Sequence, residues 1–486
     1  MIFDKLNNCL KVEAMKFTKR GMKLIFDENP VKIMSRELPE IKKLLTSGKI
    51  KVCIIGIGRI GLPTALSFAN SNLPTVGVDI NTNLVNMINS GEFPLKDEPG
   101  YAEIFQDVVK KKKFFATTQL EVVQKSDVIL LSLPTPMDTN DNPNYSALES
   151  VGKKLHDLVP RDSLIIVEST VEPGYIENNF IKFLEGDDKN LISGRDFGLG
   201  VCPETANPGE ILKDFKSLPR LAGGLNDKTA NMIIEIYKHV FPVEIVKMPD
   251  CKTANAAKLT TNVFRYINIA FVNELAILCE KLGIDIMKVL EAADMKYNFQ
   301  VHYPGPGVGG PCLPVNSVQI LHSAKLIGNN LLRMVSLSQE INDGMASHVI
   351  DLTSDALQSV GKKIDNSRVL ILGVSYKPNV KDIQITPAEP VIKKLQERGV
   401  TVKIYDPHFK SSSVFGITTE GNLADAISNI DAAVLITGHD EFRHIDPAFL
   451  ASKSKSLVFV DTRGVIDIHV ARKAGLIVRG IGRGGN

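Results

Sequence analysis

No stretch of about eighteen consecutive apolar residues occurs in this 486-residue chain, so no segment is long enough to cross a bilayer as a helix. The residues before Val52 mix Lys, Glu and Asp with short apolar runs. They lack the basic start and unbroken apolar core of an export signal. Charge of one sign is scarce too: 57 Lys and Arg against 55 Asp and Glu leave a formal net +2. No global field then favours nucleic acid or an anionic membrane, neither is expected as a partner, and an anionic ligand must be met by local groups. The six cysteines, Cys9, Cys53, Cys202, Cys251, Cys279 and Cys312, include no CxxC pair and no metal-ligand spacing. No metal site and no disulfide framework are expected, and a cytoplasmic setting fits.

What is present is ordinary for a soluble globular protein, with 44% apolar and 23% charged residues. The length suggests roughly two to four domains. Two regions alternate short apolar strands with helical patterns, the habit of a parallel sheet covered by helices. The first opens at Lys51-Val-Cys-Ile-Ile-Gly56 and continues through Thr75–Asp79, Val128–Leu133, Leu164–Val167 and Leu199–Cys202. The second opens at Arg368-Val-Leu-Ile-Leu-Gly373 and continues through Val400–Tyr405, Ala433–Thr437 and Leu457–Asp461. Between them, Thr253 to Gly283 carries apolar residues at helical spacing without Pro or Gly interruption, long enough to span a domain. Residues 1–48 read as an added helical arm, suited to assembly.

Gly56-Ile-Gly-Arg-Ile-Gly61 follows a buried strand and opens a helix. Gly56 permits the tight turn, Gly58 lets the backbone approach a pyrophosphate, and Gly61 packs helix on strand, while Arg59 and Ile60 complete the loop. The helix amino end adds unpaired N–H groups and a positive dipole. Asp79, roughly twenty residues on, ends the next strand where a carboxylate can take both ribose hydroxyls, which favours NAD over NADP. Arg59 is placed to reach the pyrophosphate. Thr135, in Leu133-Pro-Thr-Pro136, and Thr170, in Glu168-Ser-Thr170, fall at strand carboxyl ends, where open α/β sheets bind ligands; turn chemistry alone would also account for them. The expected fold is therefore α/β, with two Rossmann-like parallel-sheet domains (49–225 and 363–486) joined by a helical middle domain (226–362) built on a long central helix.

Lys258, Asn262 and Arg265 share one helix face. Their neighbours Leu259, Val263, Phe264, Ile267, Ile269 and Phe271 are apolar, so the helix reads as buried on most sides, and a buried cation there needs an anion. A solvated face is the alternative, against which the usual surface Glu–Lys alternation is missing. Downstream, Gly305-Pro-Gly-Val-Gly-Gly-Pro-Cys312 would let backbone N–H groups crowd an anion. Cys312 stands where a helix begins near Asn316, a position that favours the thiolate, although most lone cysteines are small buried apolar residues.

Taken in order, GIGRIGLP, Pro134-Thr-Pro, Glu168-Ser-Thr, Cys202-Pro-Glu204, the Lys258 to Asn262 helix, GPGVGGPC, Tyr376-Lys-Pro-Asn and Asp461-Thr-Arg463 resemble the nucleotide-sugar 6-dehydrogenase family. This is the UDP-glucose/GDP-mannose dehydrogenase family, and the likeness runs from about Lys51 to Gly482. The resemblance implies oxidation of a sugar C6 alcohol to a carboxylate in two NAD-dependent steps. It implies that Cys312 is the nucleophile, forming a thiohemiacetal and then a thioester, and that Lys258 and Asn262 stabilise the oxyanion. Glu204 would act as acid/base or orient water. Gly309 would hold the diphosphate or sugar, and Tyr376, Lys377 and Arg463 the nucleotide of a UDP-sugar. The first sheet domain would hold NAD, and the middle domain would carry the cysteine and join subunits in a homo-oligomer.

Phe264-Arg-Tyr-Ile-Asn-Ile-Ala270, with Arg265 as a substrate contact, resembles the N-acetylhexosamine branch and points to UDP-N-acetyl-D-mannosamine before UDP-N-acetylglucosamine or UDP-glucose. Four positions depart from the family pattern. Asn316 stands where Asp is usual in the catalytic set, and Thr205, Asn298 and Gln384 stand where that branch has arginines. These departures also admit a catalytically impaired nucleotide-sugar-binding protein.

Overall fold

The computed structural model describes residues 28–187, 190–328, 331–453 and 458–484. The first 27 residues of the expected arm lie outside the described residues. The chain divides into two compact units, one formed by Met1–Thr260 with Val318–Ser323, the other by Thr261–Ser317 with Ala324–Asn486.

The first unit is built on eight strands: β1 (Val52–Ile55), β2 (Thr75–Val78), β3 (Phe114–Thr117), β4 (Val128–Leu131), β5 (Leu164–Val167), β6 (Gly198–Val201), β7 (Arg220–Gly224) and β8 (Ile245–Lys247). Their order is β3-β2-β1-β4-β5-β6-β7-β8, with every pairing parallel except β6 with β7. Runs such as Val-Cys-Ile-Ile and Val-Ile-Leu-Leu are buried at every position, as strands covered on both faces must be. The order reverses beside β1, which pairs with both β2 and β4. That opens a crevice at the strand carboxyl ends.

Four helices matter in this unit: α1 (Leu38–Thr46), α2 (Gly61–Asn70), α3 (Asp227–Val240) and the start of α4 (Cys251–Leu282). Two sequence expectations shift. The sheet does not stop at residue 225, because α3 and β8 continue it. Residues 28–48 are not a detached arm: Ile33, Met34, Ile41 and Leu45 are buried in the core of the first sheet, and α1 packs on α3. Buried Asp127 anchors this segment by accepting from Val31 N at 2.5 Å and Lys51 N at 2.8 Å. Burial raises its carboxyl to about 6, against the pull of those backbone donors.

The second unit contains most of α4, then α5 (Leu313–Leu326, of which Val318–Ser323 cluster with the first unit) and α6 (Arg333–Ser359). Its sheet follows with β9 (Arg368–Leu372) and β10 (Thr401–Tyr405), the small hairpin β11 (Ser413–Val414) and β12 (Ile417–Thr418), then β13 (Ala432–Leu435), β14 (Val458–Asp461) and β15 (Ile477–Gly480). The five main strands run parallel in the order β10-β9-β13-β14-β15. The core joins Val272 and Ala276 of α4 and Met345 and Val349 of α6 to Val369, Ile404, Val434 and Val460. The fold class is the expected one: α/β, two parallel-sheet regions and a helical centre with a long helix. At 32 residues α4 extends about 48 Å. It is not buried on most sides: Leu259 and Val263 are, but Phe264, Phe271, Leu278 and Leu282 stand exposed.

Candidate active site

The glycine loop after β1 sorts its three glycines by contact. Gly56 sits at φ +88°, and a Cβ on Gly61 would lie 1.8 Å from the Gly56 carbonyl oxygen, so the turn and the helix packing both require them. A Cβ on Gly58 would meet nothing within 4 Å. The protein's own packing does not need glycine there, and the open space adjoins the amino end of α2. Asp79 lies beside this loop, accepting from Ile57 N at 3.1 Å and Asn81 N at 2.9 Å, and each oxygen keeps a lone pair for a ribose hydroxyl. Arg59 sits differently from the expectation of a pyrophosphate contact. It pairs with Asp97 at 2.7 Å and buried Glu98 at 3.1 Å, and Glu98 also accepts from Gly209 N at 2.7 Å. Ile60 caps α2. Loop, helix end and acidic residue together fit an NAD pyrophosphate and ribose.

The ends of β4 and β5 meet. Thr135 Oγ1 donates to the Thr170 carbonyl at 2.9 Å, and Gln319 Nε2 of α5 donates to the same oxygen at 3.0 Å. Beyond β6, Glu204 is held from three sides. One carboxylate oxygen accepts from Thr205 N and Ala206 N at 2.6 and 2.8 Å, the other from Arg220 Nη1 at 2.7 Å. Arg220 is buried against the rings of Phe215, Tyr237 and Phe241, 4.0–5.6 Å from their centroids. Glu168, fully buried, accepts from Tyr237 OH at 2.6 Å. Burial first, and the Glu204 charge second, raise its carboxyl to about 7, with Arg220 and Tyr237 opposing.

Lys258 and Asn262 are both buried, one turn apart on α4, while Arg265 on the same helix is exposed. Asn262 Nδ2 donates to Asn316 Oδ1 at 2.6 Å. Cys312 is the N-cap residue of α5, which starts at Leu313, slightly earlier than the sequence suggested. Among the described cysteines it alone is exposed. Burial pushes the thiols of Cys53, Cys251 and Cys279 up, and that of Cys202 to about 12. A thiol at a helix amino end is placed for reaction; the buried ones are not.

The glycine run before Cys312 threads between other residues of the second unit. Gly305 N donates to Asn273 Oδ1 at 2.8 Å, Asn273 to Asn342 at 2.9 Å, and Asn342 to the Tyr266 carbonyl at 3.3 Å. Gly310 N donates to the Gln384 carbonyl at 3.1 Å. A Cβ on Gly305 would lie 2.3 Å from Arg463 Nη1; one on Gly309 would lie 2.4 Å from the Ile385 carbonyl oxygen, with Tyr376 Cβ at 3.1 Å. The structure thus gathers Gly309, Tyr376 and Arg463 around the cysteine loop. Lys377 follows Tyr376, half-buried. Arg463 donates Nε to the Ile436 carbonyl at 2.9 Å and makes no salt bridge among the described residues. Burial brings its pKa down to about 10, with Asp461 opposing. Of the departures from the family pattern, Thr205 lies beside Glu204 and Gln384 beside Gly310, while Asn298 is exposed.

Sequence reading missed Arg220, Asn273 and Asn342. A lone arginine inside Leu218-Pro-Arg-Leu-Ala-Gly and an asparagine, Asn273, in a largely apolar helical run were the available signals, while Asn342 sits among polar neighbours and gave none. No cluster of metal-ligating side chains occurs among the described residues.

Known proteins resemble this chain along most of its length. Residues 50–241 match the NAD binding domain of the UDP-glucose/GDP-mannose dehydrogenase family, residues 252–344 its central domain, and residues 370–468 its UDP binding domain. The UDP-N-acetyl-D-mannosamine dehydrogenase of Methanococcus maripaludis (strain C7) is 33% identical over 89% of this chain and 97% of its own length. The NDP-N-acetyl-D-galactosaminuronic acid dehydrogenase of Ralstonia nicotianae is 29% identical over 85% of this chain and 96% of its own. The solved UDP-D-ManNAc dehydrogenase of Pyrococcus horikoshii superposes with a TM-score of 0.84 at 30% identity, over 90% of this chain and 100% of that one.

Proposed function

The chain belongs to the UDP-glucose/GDP-mannose dehydrogenase family, and from that premise we propose that it oxidises C6 of UDP-N-acetyl-D-mannosamine to the carboxylate through Cys312. The family makes it an NAD-dependent nucleotide-sugar 6-dehydrogenase with a UDP-sugar substrate. The single observation carrying the mechanism is Cys312, the one exposed cysteine among the described residues, at the amino end of α5.

Two NAD⁺ molecules, bound one after the other, would each accept one of the two hydrides that leave C6. The chain supplies the rest. Once the alcohol is an aldehyde, Cys312 Sγ bonds to C6, and the oxygen becomes the hydroxyl of a thiohemiacetal. Loss of the second hydride and the hydroxyl proton leaves a thioester. Water breaks the C–S bond, releasing the acid and the thiolate. Lys258 and Asn262 stabilise the oxygen as charge develops, a role whose removal typically costs ~10²–10³ in rate. Glu204, fixed in place by Arg220 and two backbone donors, orients the water. Arg463, Tyr376, Lys377 and Gly309 receive the nucleotide and diphosphate.

The substrate reading draws on the named relatives and on Arg265-Tyr in α4. Thr205, Asn298 and Gln384 remove cations from that branch's pattern, which makes UDP-N-acetylglucosamine and UDP-glucose the competing substrates. The exposed apolar stripe Phe264, Phe271, Leu278 and Leu282 is proposed to be the face by which two copies pair; exposed Arg265 adjoins it. No described helix is long and apolar enough to cross a membrane.

The test is a panel of UDP-sugars with NAD⁺, followed by NADH absorbance and product mass. Two NADH per UDP-N-acetyl-D-mannosamine and a uronic acid product are expected. Turnover confined to another sugar overturns the substrate reading, and binding without NADH leaves only a nucleotide-sugar binder.

A further inference from the structure

The second sheet repeats a device of the first and turns it to another use. Asp79 follows β2 and accepts from Ile57 N in the turn after β1. Asp406 follows β10 and accepts, at 2.8 Å, from Val374 N in the turn after β9. The glycines opening the two turns, Gly56 and Gly373, share a positive φ of +88° and +83°. The carboxylates differ in access: Asp79 is partly open, whereas Asp406 is completely buried.

What seals Asp406 is His439, itself buried, from the loop after β13. Its Nε2 lies 3.0 Å from Asp406 Oδ2, and its Nδ1 lies 2.9 Å from the backbone N of Asn379. A backbone N–H can only donate, so Nδ1 accepts, and the ring proton sits on Nε2 facing Asp406. Two bonds therefore select one tautomer. The same pair of loops is joined again by Thr437 Oγ1 donating to the Ser375 carbonyl at 2.5 Å and Asp440 N donating to Asn379 Oδ1 at 3.1 Å. The segment so fixed, Ser375 to Asn379, contains Tyr376 and Lys377.

We propose that His439, oriented by Asp406, is a positioning residue that holds the Ser375–Asn379 segment in its nucleotide-binding shape. Asp406 binds no ribose; it acts through the imidazole. This rests on the reading above that Tyr376 and Lys377 meet the nucleotide. Phenylalanine at 439 would fill the space but leave Asn379 N–H without its acceptor and take from Asp406 its imidazole donor, though not its backbone donors. Glutamine would restore a donor and an acceptor. Asparagine at 406 would weaken the tautomer choice, because an amide can face Nε2 with either hydrogen or oxygen.

The experiment measures UDP and NAD⁺ affinities of the full-length protein by calorimetry, with KM and kcat for the UDP-sugar that turns over. For His439→Phe, Kd for UDP and KM for the sugar nucleotide are expected to rise about tenfold or more, with NAD⁺ affinity and kcat within about twofold. His439→Gln is expected to recover most of the loss, and Asp406→Asn to fall between. If His439→Phe does not fold, a UDP affinity of Asp406→Asn equal to wild type overturns the proposal, and one weakened with NAD⁺ binding intact supports it. A folded His439→Phe protein binding UDP as wild type does also overturns it. Failure of the wild-type protein to bind UDP would instead remove the reading of the second sheet, a separate result.

Discussion

Asn262 of α4 and Asn316 of α5 meet amide to amide at 2.6 Å. The bond ties a residue proposed to steady the reacting oxygen to the helix that begins at Cys312. Asn316→Ala is expected to lower kcat about tenfold by loosening Asn262, while Asn262→Ala costs ~10²–10³. Asn316→Asp keeps an acceptor, now charged, and is expected to retain activity at pH 8. Steady-state kinetics of the three variants checks the ranking; equal losses in both alanine variants would contradict it.

Alkylation separates Cys312 from the other described cysteines. Brief iodoacetamide treatment of the native protein, read by peptide mass, is expected to modify Cys312 well before Cys53, Cys202, Cys251 or Cys279. UDP-sugar should protect it. Cys312→Ser is expected to stop acid formation.

The glycine loop offers a paired test. Gly61→Ala forces a Cβ to within 1.8 Å of the Gly56 carbonyl and is expected to destabilise the protein by about 2 kcal/mol or more. Gly58→Ala meets open space and is expected to keep the wild-type Tm while weakening NAD⁺ binding about tenfold or more. A Gly58→Ala protein with unchanged NAD⁺ affinity would show that no ligand approaches that backbone.

Glu168 gives a pH dependence with a definite sign. Its carboxyl is raised from 4.5 to about 7 in the folded protein, so the native state holds this proton more tightly than the unfolded chain. The stability this brings is complete below about pH 4.5 and is lost as pH rises through about 7, at most on the order of 1–3 kcal/mol. Glu168→Gln is expected to lose less Tm than wild type between pH 5 and 8. Parallel Tm–pH curves would contradict the assignment.

The exposed stripe on α4 is tested by charge. Phe271→Glu with Leu278→Glu is expected to convert a dimer to monomer in sedimentation velocity. An unchanged sedimentation coefficient means that pairing uses another face.

The local chemistry was legible in the residues alone. A strand, Gly56 to Gly61 and Asp79 lie within one βαβ stretch, so turn, phosphate cradle and ribose acceptor are written close together. Cys312 was flanked by a glycine run and a helix start, but the resemblance to the family, not those neighbours, made it the expected nucleophile. What escaped reading depends on residues distant in the chain. Nothing near Glu204 announces Arg220 arriving on β7, and nothing near Asn273 announces Asn342, 69 residues later. Arg59 looked available because its carboxylate partners, Asp97 and Glu98, lie nearly forty residues away. The exposure of Phe264 and Phe271 was hidden for a different reason: an apolar helix face looks the same whether its cover comes from its own chain or from a second copy.

The docking of Ile33 to Leu45 decides where this protein tolerates shortening. A recombinant version started at Lys49, as a detachable leader would invite, would strip Ile33, Ile41 and Leu45 from the hydrophobic interior and take from Asp127 the Val31 donor. Such a product would collect in inclusion bodies, and its inactivity would say nothing about catalysis.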